Sequence, residues 1–191
     1  LAVACLTEAV ELRRAYPRAE ILVMGHTPTD YFPEAVSAGI LLSVFDLSQA
    51  RALSALATKA KPARIHLKID TGMNRLGLKP GPETPELLAK LAALPGLVIE
   101  GAFTHLALDT KESDAAQVEL FRATLDACPA LAKVPRHVCD SIGLARYPDY
   151  RMDMVRPGAI LFGGPPLRAP LLEGYRFEAP WTWKTRISRI R

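Results

Sequence analysis

The stretch ARIHLKIDTGMNRLGLKP, residues 63–80, joins the pattern of a buried strand to a cluster of polar residues. Apolar and polar residues alternate from Ile65 to Asp70, which is the period of a β-strand. A strand needed only for packing would not carry a lysine and an aspartate on one side and then open into TGMNR. Charged side chains at the end of a strand, followed by a turn containing glycine, indicate a functional site at that end.

The rest of the chain repeats short apolar runs that alternate with segments of helical period. Strand followed by helix, many times over, predicts right-handed βαβ units and a parallel sheet. A (β/α)₈ barrel needs eight strands. We therefore predict an α/β fold, a TIM-type barrel that lacks its first strand, and we expect that strand to precede Leu1 because the chain starts inside an apolar run. The seven strand candidates are 1–5, 20–25, 40–46, 64–70, 97–104, 136–140 and 155–163.

Several helix boundaries also follow from the pattern. Gly39 is suited to end the short helix before it, and Ser48 is expected to cap the helix after the third strand. In the helix predicted for 113–128, Val118, Phe121 and Leu125 share one face and are expected to be buried.

The texture of the sequence changes near Pro165. Prolines at 165, 166, 170 and 180 interrupt the chain, and WTWKTRISRIR then shows partial alternation. We predict a partial barrel domain at 1–164, which would hold strands 2–8 of a full barrel. Residues 165–191 are predicted to be a linker and the first strand of a truncated C-terminal β domain.

Composition excludes several classes of function. Of the 191 residues 49% are hydrophobic and 23% charged, and a net charge of +4 without a basic stripe argues against nucleic-acid binding. The three cysteines, Cys5, Cys128 and Cys139, have no CxxC spacing, which favours reduced thiols in the cytoplasm. No run is long enough for a membrane span and no spacing of metal ligands occurs, so neither a membrane nor a metal partner is expected.

Four motifs in order carry a resemblance to a known family. HLKIDTGMNRLGL, EGAFTHLALDT, HVCDSIGLARYP and DMVRPGAILFGG closely resemble the successive motifs of the alanine racemases, over essentially the whole chain. The resemblance implies a pyridoxal 5'-phosphate enzyme with an N-terminal barrel and a C-terminal β domain. It also implies a cytoplasmic homodimer in the intact protein, with an amino acid substrate and a supply of D-alanine for peptidoglycan.

The resemblance assigns roles around the ring of the cofactor. Arg156 would face the pyridine nitrogen, and since a guanidinium hardly surrenders a proton, that nitrogen would stay unprotonated. His105 would lie against the same arginine and hold it in place. Arg75 would bind the phenolic oxygen of the cofactor and the substrate carboxylate, which its planar fork suits. Lys68 matches a position that some members carry as a carbamylated lysine orienting that arginine; an ordinary salt-bridging lysine stays an open alternative.

A second group of residues would bind the phosphate. The resemblance gives this role to Ser141, Gly158 and Ala159, one hydroxyl and two backbone N–H groups at the rim. Many relatives carry Asn-Ser where this chain has Asp140 and Ser141. A carboxylate would be repelled by a phosphate, so Asp140 is expected to point away or to lie at a distance.

Other polar residues receive no role in the chemistry. Asp70, Thr71 and Asn74 are expected to bond local backbone and to shape the rim. His66 and His137 show no partner pattern in the sequence, and neither does His26.

Neither of the two catalytic bases of the family has a counterpart in the sequence. One is a lysine on the first barrel strand, in a motif like KANAYGHG, and no Lys-x-x-x-Tyr-Gly occurs here. The other is a tyrosine from the C-terminal domain of the partner subunit. We therefore expect no catalytic residue in this chain and no racemase activity from it alone, although the longer parent protein would be an amino-acid racemase.

Two other functions stay open. A serine racemase of the same family would share these motifs, because one hydroxyl on the substrate is a small target for discrimination. A non-catalytic barrel that handles pyridoxal phosphate would also share them, although such proteins end at the barrel.

Overall fold

Strands and helices alternate along the chain in the computed structural model, which describes residues 1–163, 178, 180–186 and 189. The strands are β1 Ala2–Val3, β2 Leu22–Val23, β3 Leu41–Val44, β4 Ala63–Lys68, β5 Leu97–Phe103, β6 Arg136–Asp140 and β7 Met154–Arg156. The α-helices are α1 Leu6–Ala15, α2 Phe32–Ser37, α3 Leu47–Leu56, α4 Thr84–Ala92, α5 Lys111–Asp126 and α6 Ser141–Arg146. Each strand lies within or overlaps its predicted segment.

All seven strands form one parallel sheet in the order β1 to β7, so neighbours in sequence are also neighbours in space. The sheet curls until its first and last strands line the same cavity, which is bounded by Ala2 on one side and Met154 on the other. This arrangement is a nearly closed barrel, and the prediction of a TIM-type barrel with seven of its strands is confirmed.

The last strand is shorter than the sequence predicts. β7 ends at Arg156, and Ala159–Phe162 form a 3₁₀ helix instead of continuing the predicted strand 155–163. Pro157 follows the strand directly and has no N–H to give to a sheet ladder. The chain therefore leaves the sheet one residue after Arg156.

The two faces of the strands have different surroundings. Ile65 and Leu67 of β4, and Ile69 directly after the strand, are at most 1% exposed. They pack with the helices in the hydrophobic core. The alternate residues Arg64 and His66 instead make polar contacts with side chains of other strands. The barrel is thus apolar between sheet and helices, and β4 supplies polar groups to its interior.

Helix boundaries follow local hydrogen bonding. Gly39 has the left-handed φ of +62° expected after a helix. The cap of α3 is Asp46, whose carboxylate accepts from Gln49 N at 2.8 Å, and not the predicted Ser48. Ser48 lies inside the first turn and donates to Asp46 Oδ1 at 2.6 Å. In the part of the chain that the structure describes, no helix has the length and apolar character to cross a membrane.

Within the predicted linker and β strand at 165–191, the structure describes residues 178, 180–186 and 189, and the rest lie outside the described residues. That division of the chain stays a prediction.

Helix α5 offers a matched test of the core. Leu125 is 0% exposed and Leu120 on the same helix is 42% exposed. We expect Leu125→Ala to lower the free energy of unfolding by about 2–5 kcal/mol, because it removes buried methyl groups and leaves a cavity. Leu120→Ala should change it by no more than about 0.5 kcal/mol. Urea unfolding followed by circular dichroism measures both, and equal effects would contradict this packing of α5.

Candidate active site

The loop after β4 is shaped by its own backbone contacts. Asp70 Oδ1 accepts from the N–H groups of Gly72 at 3.1 Å and Asn74 at 3.0 Å, as predicted for a residue of the rim. Gly77 has a φ of +141°, and a Cβ there would lie 2.5 Å from Asp70 N, so only glycine fits. These constraints hold the loop against the strand end and carry Arg75, which is exposed, on the rim of the barrel.

Arg156, the last residue of β7, is held by three hydrogen bonds. Its guanidinium donates to the backbone carbonyls of Thr104 at 2.9 Å and Val138 at 2.8 Å, and its Nη1 contacts His137 Nδ1 at 2.8 Å. Burial lowers the pKa of Arg156 to about 10, which leaves it charged at neutral pH. The side chain that holds this arginine is therefore His137 and not His105, which the resemblance had suggested.

His105 occupies a different part of the rim. It lines a small hollow together with Lys68 and Arg75. Burial lowers the pKa of His105, and the positive charge of Arg156 lowers it further, so the imidazole is neutral and lies within the field of that arginine. Register explains the difference: His137 is on β6, directly beside β7, whereas His105 follows β5.

Phe103 connects the two parts of the rim. Its ring stacks on His137 with centroids 4.8 Å apart and planes 9° apart. Lys68 Nζ lies 5.1 Å from the ring centroid and Arg156 Cζ lies 5.3 Å from it. One aromatic ring thus contacts two cations, an arrangement that favours both.

Three positive groups share this edge of the sheet. Lys68 is only 5% exposed, and burial lowers its pKa to about 8, with further lowering from Arg75 and then Arg156. Burial is the larger cause of this lowering, and repulsion from the two arginines adds to it. A cluster of three positive groups favours the binding of an anion.

Ser141, the first residue of α6, joins the end of β6 to the segment after β7. Its Oγ accepts from Gly158 N at 2.9 Å and Ile160 N at 3.3 Å. Nothing lies within 4 Å of where a Cβ of Gly158 would stand, so open space adjoins these N–H groups. Asp140 points to the backbone of α6, where its Oδ1 accepts from Ile142 N at 3.0 Å and Gly143 N at 2.8 Å, in line with the expectation that it turns away.

The predicted residues therefore lie together at the carboxyl ends of β4 to β7. Lys68, Arg75 and His105 form one group, and the other is formed by Arg156 with the phosphate candidates Ser141, Gly158 and Ala159. A cavity of about 710 Å³ adjoins the second group and is lined by Arg156 and Gly158 among others.

Sequence reasoning missed four participants: His66, His137, Phe103 and the backbone N–H of Ile160. The alternation of side chains along a strand could have identified His66, because His66 and Lys68 are two residues apart and therefore share the inner face of β4. The role of Ile160 N had no signal, since it depends on the 3₁₀ turn after Gly158.

Known proteins resemble the chain in sequence and in fold. Residues 1–166 match the family model described as alanine racemase, N-terminal domain. Alanine racemases of Desulforamulus reducens and Symbiobacterium thermophilum are 32% and 36% identical; each alignment covers 100% of this chain, and 53% and 52% of those proteins. The solved alanine racemase of Clostridium difficile 630 is 33% identical with a TM-score of 0.82, over 87% of this chain and 45% of that one.

The chain spans about half the length of the curated relatives it matches. The match to the family model, residues 1–166, contains every strand and helix of the described residues. The chain therefore belongs to the alanine racemase family and contains its N-terminal barrel domain.

Proposed function

We propose that this chain is the pyridoxal phosphate-binding part of an enzyme that interconverts L- and D-alanine. The observation that supports it most is that Lys68, Arg75 and Arg156 lie close together at the carboxyl edge of the sheet, where open space adjoins Gly158. The cofactor carries a phosphate and a phenolate, and the substrate carries a carboxylate, so the site needs positive potential. The names of the relatives favour alanine as the substrate.

The phosphate fits at Ser141 and Gly158. The N–H groups of Gly158 and Ile160 already point at one oxygen, that of the Ser141 hydroxyl. N–H groups that converge on one oxygen can bind a phosphate oxygen in the same way, and the absence of a side chain at Gly158 leaves room for it. Ala159, between them, would present its backbone to the same anion.

The pyridine nitrogen fits at Arg156. When bound, pyridoxal phosphate supplies an electron sink that makes the α-proton of an amino acid more acidic. Arg156 remains charged at neutral pH and can donate a hydrogen bond to that nitrogen without protonating it. His137 and the two carbonyls fix its orientation, which limits the role of the chain here to binding and orienting.

The substrate carboxylate fits at Arg75. Its guanidinium is exposed on the rim and has the two-pronged geometry that carboxylates favour. Lys68 and His105 line the same hollow as Arg75. The homodimer and the cytoplasmic location implied by the resemblance stay predictions.

Binding of the cofactor without turnover is the first test. The two bases that the family uses have no match in this sequence, so we expect the chain with pyridoxal phosphate to bind L-alanine weakly and to leave its α-proton in place. Proton NMR in D₂O measures the loss of the Cα–H signal, and a chiral assay measures D-alanine. Conversion by the purified chain would show that it holds its own acid and base.

Gly158→Ala separates cofactor binding from folding. Its φ of −112° suits alanine and the added Cβ meets no atom within 4 Å, so we expect the free energy of unfolding to stay within about 0.5 kcal/mol. The methyl group should obstruct the phosphate and weaken pyridoxal phosphate binding by roughly tenfold or more. Absorbance titration measures the dissociation constant.

Pyridoxal, which lacks the phosphate, provides the control ligand. Its affinity should be the same for the original chain and for Gly158→Ala. Gly81→Ala lies away from the site and should leave both affinities unchanged. Equal loss of affinity for both ligands would contradict the phosphate assignment.

Lys68 should react reversibly with carbon dioxide. Its pKa of about 8 leaves a substantial neutral fraction at mildly alkaline pH. The neutral amine nitrogen attacks the carbon of CO₂, forms the N–C bond and releases one proton, which gives a carbamate anion beside Arg75 and Arg156. At a fixed concentration of dissolved CO₂ the carbamate signal in ¹³C NMR should increase from pH 7 to 9. Lys68→Arg should lack it, and a signal that persists would assign the adduct elsewhere.

A further inference from the structure

A second histidine continues the contact between Arg156 and His137 into the barrel. His66 Nδ1 lies 2.8 Å from His137 Nε2, and the two residues are 7% and 2% exposed. Three side chains from β4, β6 and β7 thus form one hydrogen-bonded chain. The role proposed above uses only the end at Arg156.

Arginine fixes the direction of this chain. A guanidinium can only donate, so Nδ1 of His137 must be the acceptor and carries no proton. Neutral His137 then carries its proton on Nε2 and donates to His66 Nδ1. His66 in turn carries its proton on Nε2, so both imidazoles are held in the same tautomer.

The sheet is built to accept the ring of His66. β5 has a bulge opposite this point, since Ile65 pairs with Ile99 and the next residue, His66, pairs with Gly101. A Cβ on Gly101 would lie 2.5 Å from Cε1 and 2.6 Å from Nδ1 of the imidazole. A glycine at 101 therefore gives the ring the position from which it reaches His137.

Burial, more than the surrounding charges, keeps the two histidines neutral. His66 faces Glu100 on β5, Arg64 on its own strand and Arg156 on β7, and His137 faces Arg156 and His66. Burial is the main cause that lowers the pKa of His66 to about 4 and that of His137 to about 2. Both rings therefore stay uncharged through the neutral and alkaline range.

We propose that His66 is a positioning residue that locks the tautomer of His137 and thereby the orientation of Arg156. Without an acceptor at His66, the Nε2–H of His137 would be buried without a partner, and this cost would let the tautomer with the proton on Nδ1 compete with the one that Arg156 favours. That proton would point at Nη1 of Arg156, where two donors cannot bond. The effect on the cofactor rests on the proposed function; the tautomer lock itself does not.

The first measurement is the tautomer of His137 in the ¹⁵N-labelled 191-residue chain, by long-range ¹H–¹⁵N correlation. We expect one neutral species with the proton on Nε2 from pH 6 to pH 9. His66→Leu fills the space without an acceptor and should produce a mixture of tautomers. His66→Asn retains an acceptor near the position of Nδ1 and should restore the single tautomer. A single tautomer in the His66→Leu chain would overturn the proposal.

Gly101→Ala perturbs the same contact while keeping the histidine. The added Cβ should displace the ring and produce the same mixture of tautomers in His137 as His66→Leu does. Should His66→Leu fail to fold, this variant and the unmodified chain still decide the question, and an unchanged tautomer in Gly101→Ala would contradict the proposal.

Cofactor binding gives the second readout. We expect His66→Leu to weaken the binding of pyridoxal phosphate by about fivefold, the effect of one neutral hydrogen bond. The affinity of the His66→Asn chain should be close to that of the original chain. A locked tautomer in a chain that does not bind pyridoxal phosphate would reject the proposed function and keep the tautomer lock. Normal binding in His66→Leu together with free tautomers would show that Arg156 is positioned without His66, and would overturn the proposal.

Discussion

The partly buried guanidinium of Arg156 is the constraint on which the rest of the site depends. A cation inside a protein is tolerated only when its N–H groups have acceptors, because desolvation otherwise costs more than folding supplies. Arg156 obtains them from the carbonyl of Thr104 after β5, the carbonyl of Val138 in β6 and the imidazole of His137. The same three bonds tie the ends of β5, β6 and β7 together at the rim, so joining these strand ends and building the site depend on one side chain.

The rim gathers positive charge that nearby carboxylates offset only in part. Asp70, in the loop after β4, and Asp140, at the start of α6, accept hydrogen bonds from backbone N–H groups. Asp70 acts to raise the pKa of Lys68, but burial and the two arginines outweigh it. The positive charge of Lys68 therefore lowers the free energy of unfolding, and this destabilisation is complete below pH 8. It decreases as the pH rises from 8 toward the ordinary lysine pKa of 10.5, because the folded chain then loses the proton while the unfolded chain keeps it. A bound anion would relieve it at neutral pH, so the cost is the physical counterpart of affinity for an anion.

The sequence predicted the strands better than the contacts between them. Alternation in β4 and the repeated apolar runs located all seven strands, because a parallel sheet buries its strands in a recognisable pattern. The partner of Arg156 was predicted wrongly, because it depends on the register between β6 and β7, which shifts between His137 and Asp140. The cap of α3 was misplaced by two residues because Asp46 and Ser48 are both good caps, and only the helix start distinguishes them.

The interior of the barrel explains why β4 begins with such polar residues. Arg64 binds Glu100 at 2.7 Å and Glu20 at 2.6 Å at one end of the strand, His66 binds His137 in its middle, and Lys68 reaches the rim. The bulge in β5 serves two of these contacts at once: the extra residue is Glu100, which pairs with Arg64, and it places Gly101 opposite His66. Without that insertion a side chain would stand where the imidazole lies, and the path from the ion pair to Arg156 would be interrupted. The polar side chains inside the barrel, which run from Arg64 through His66 and His137 to Arg156, and the glycine at 101 in β5 are therefore parts of a single arrangement.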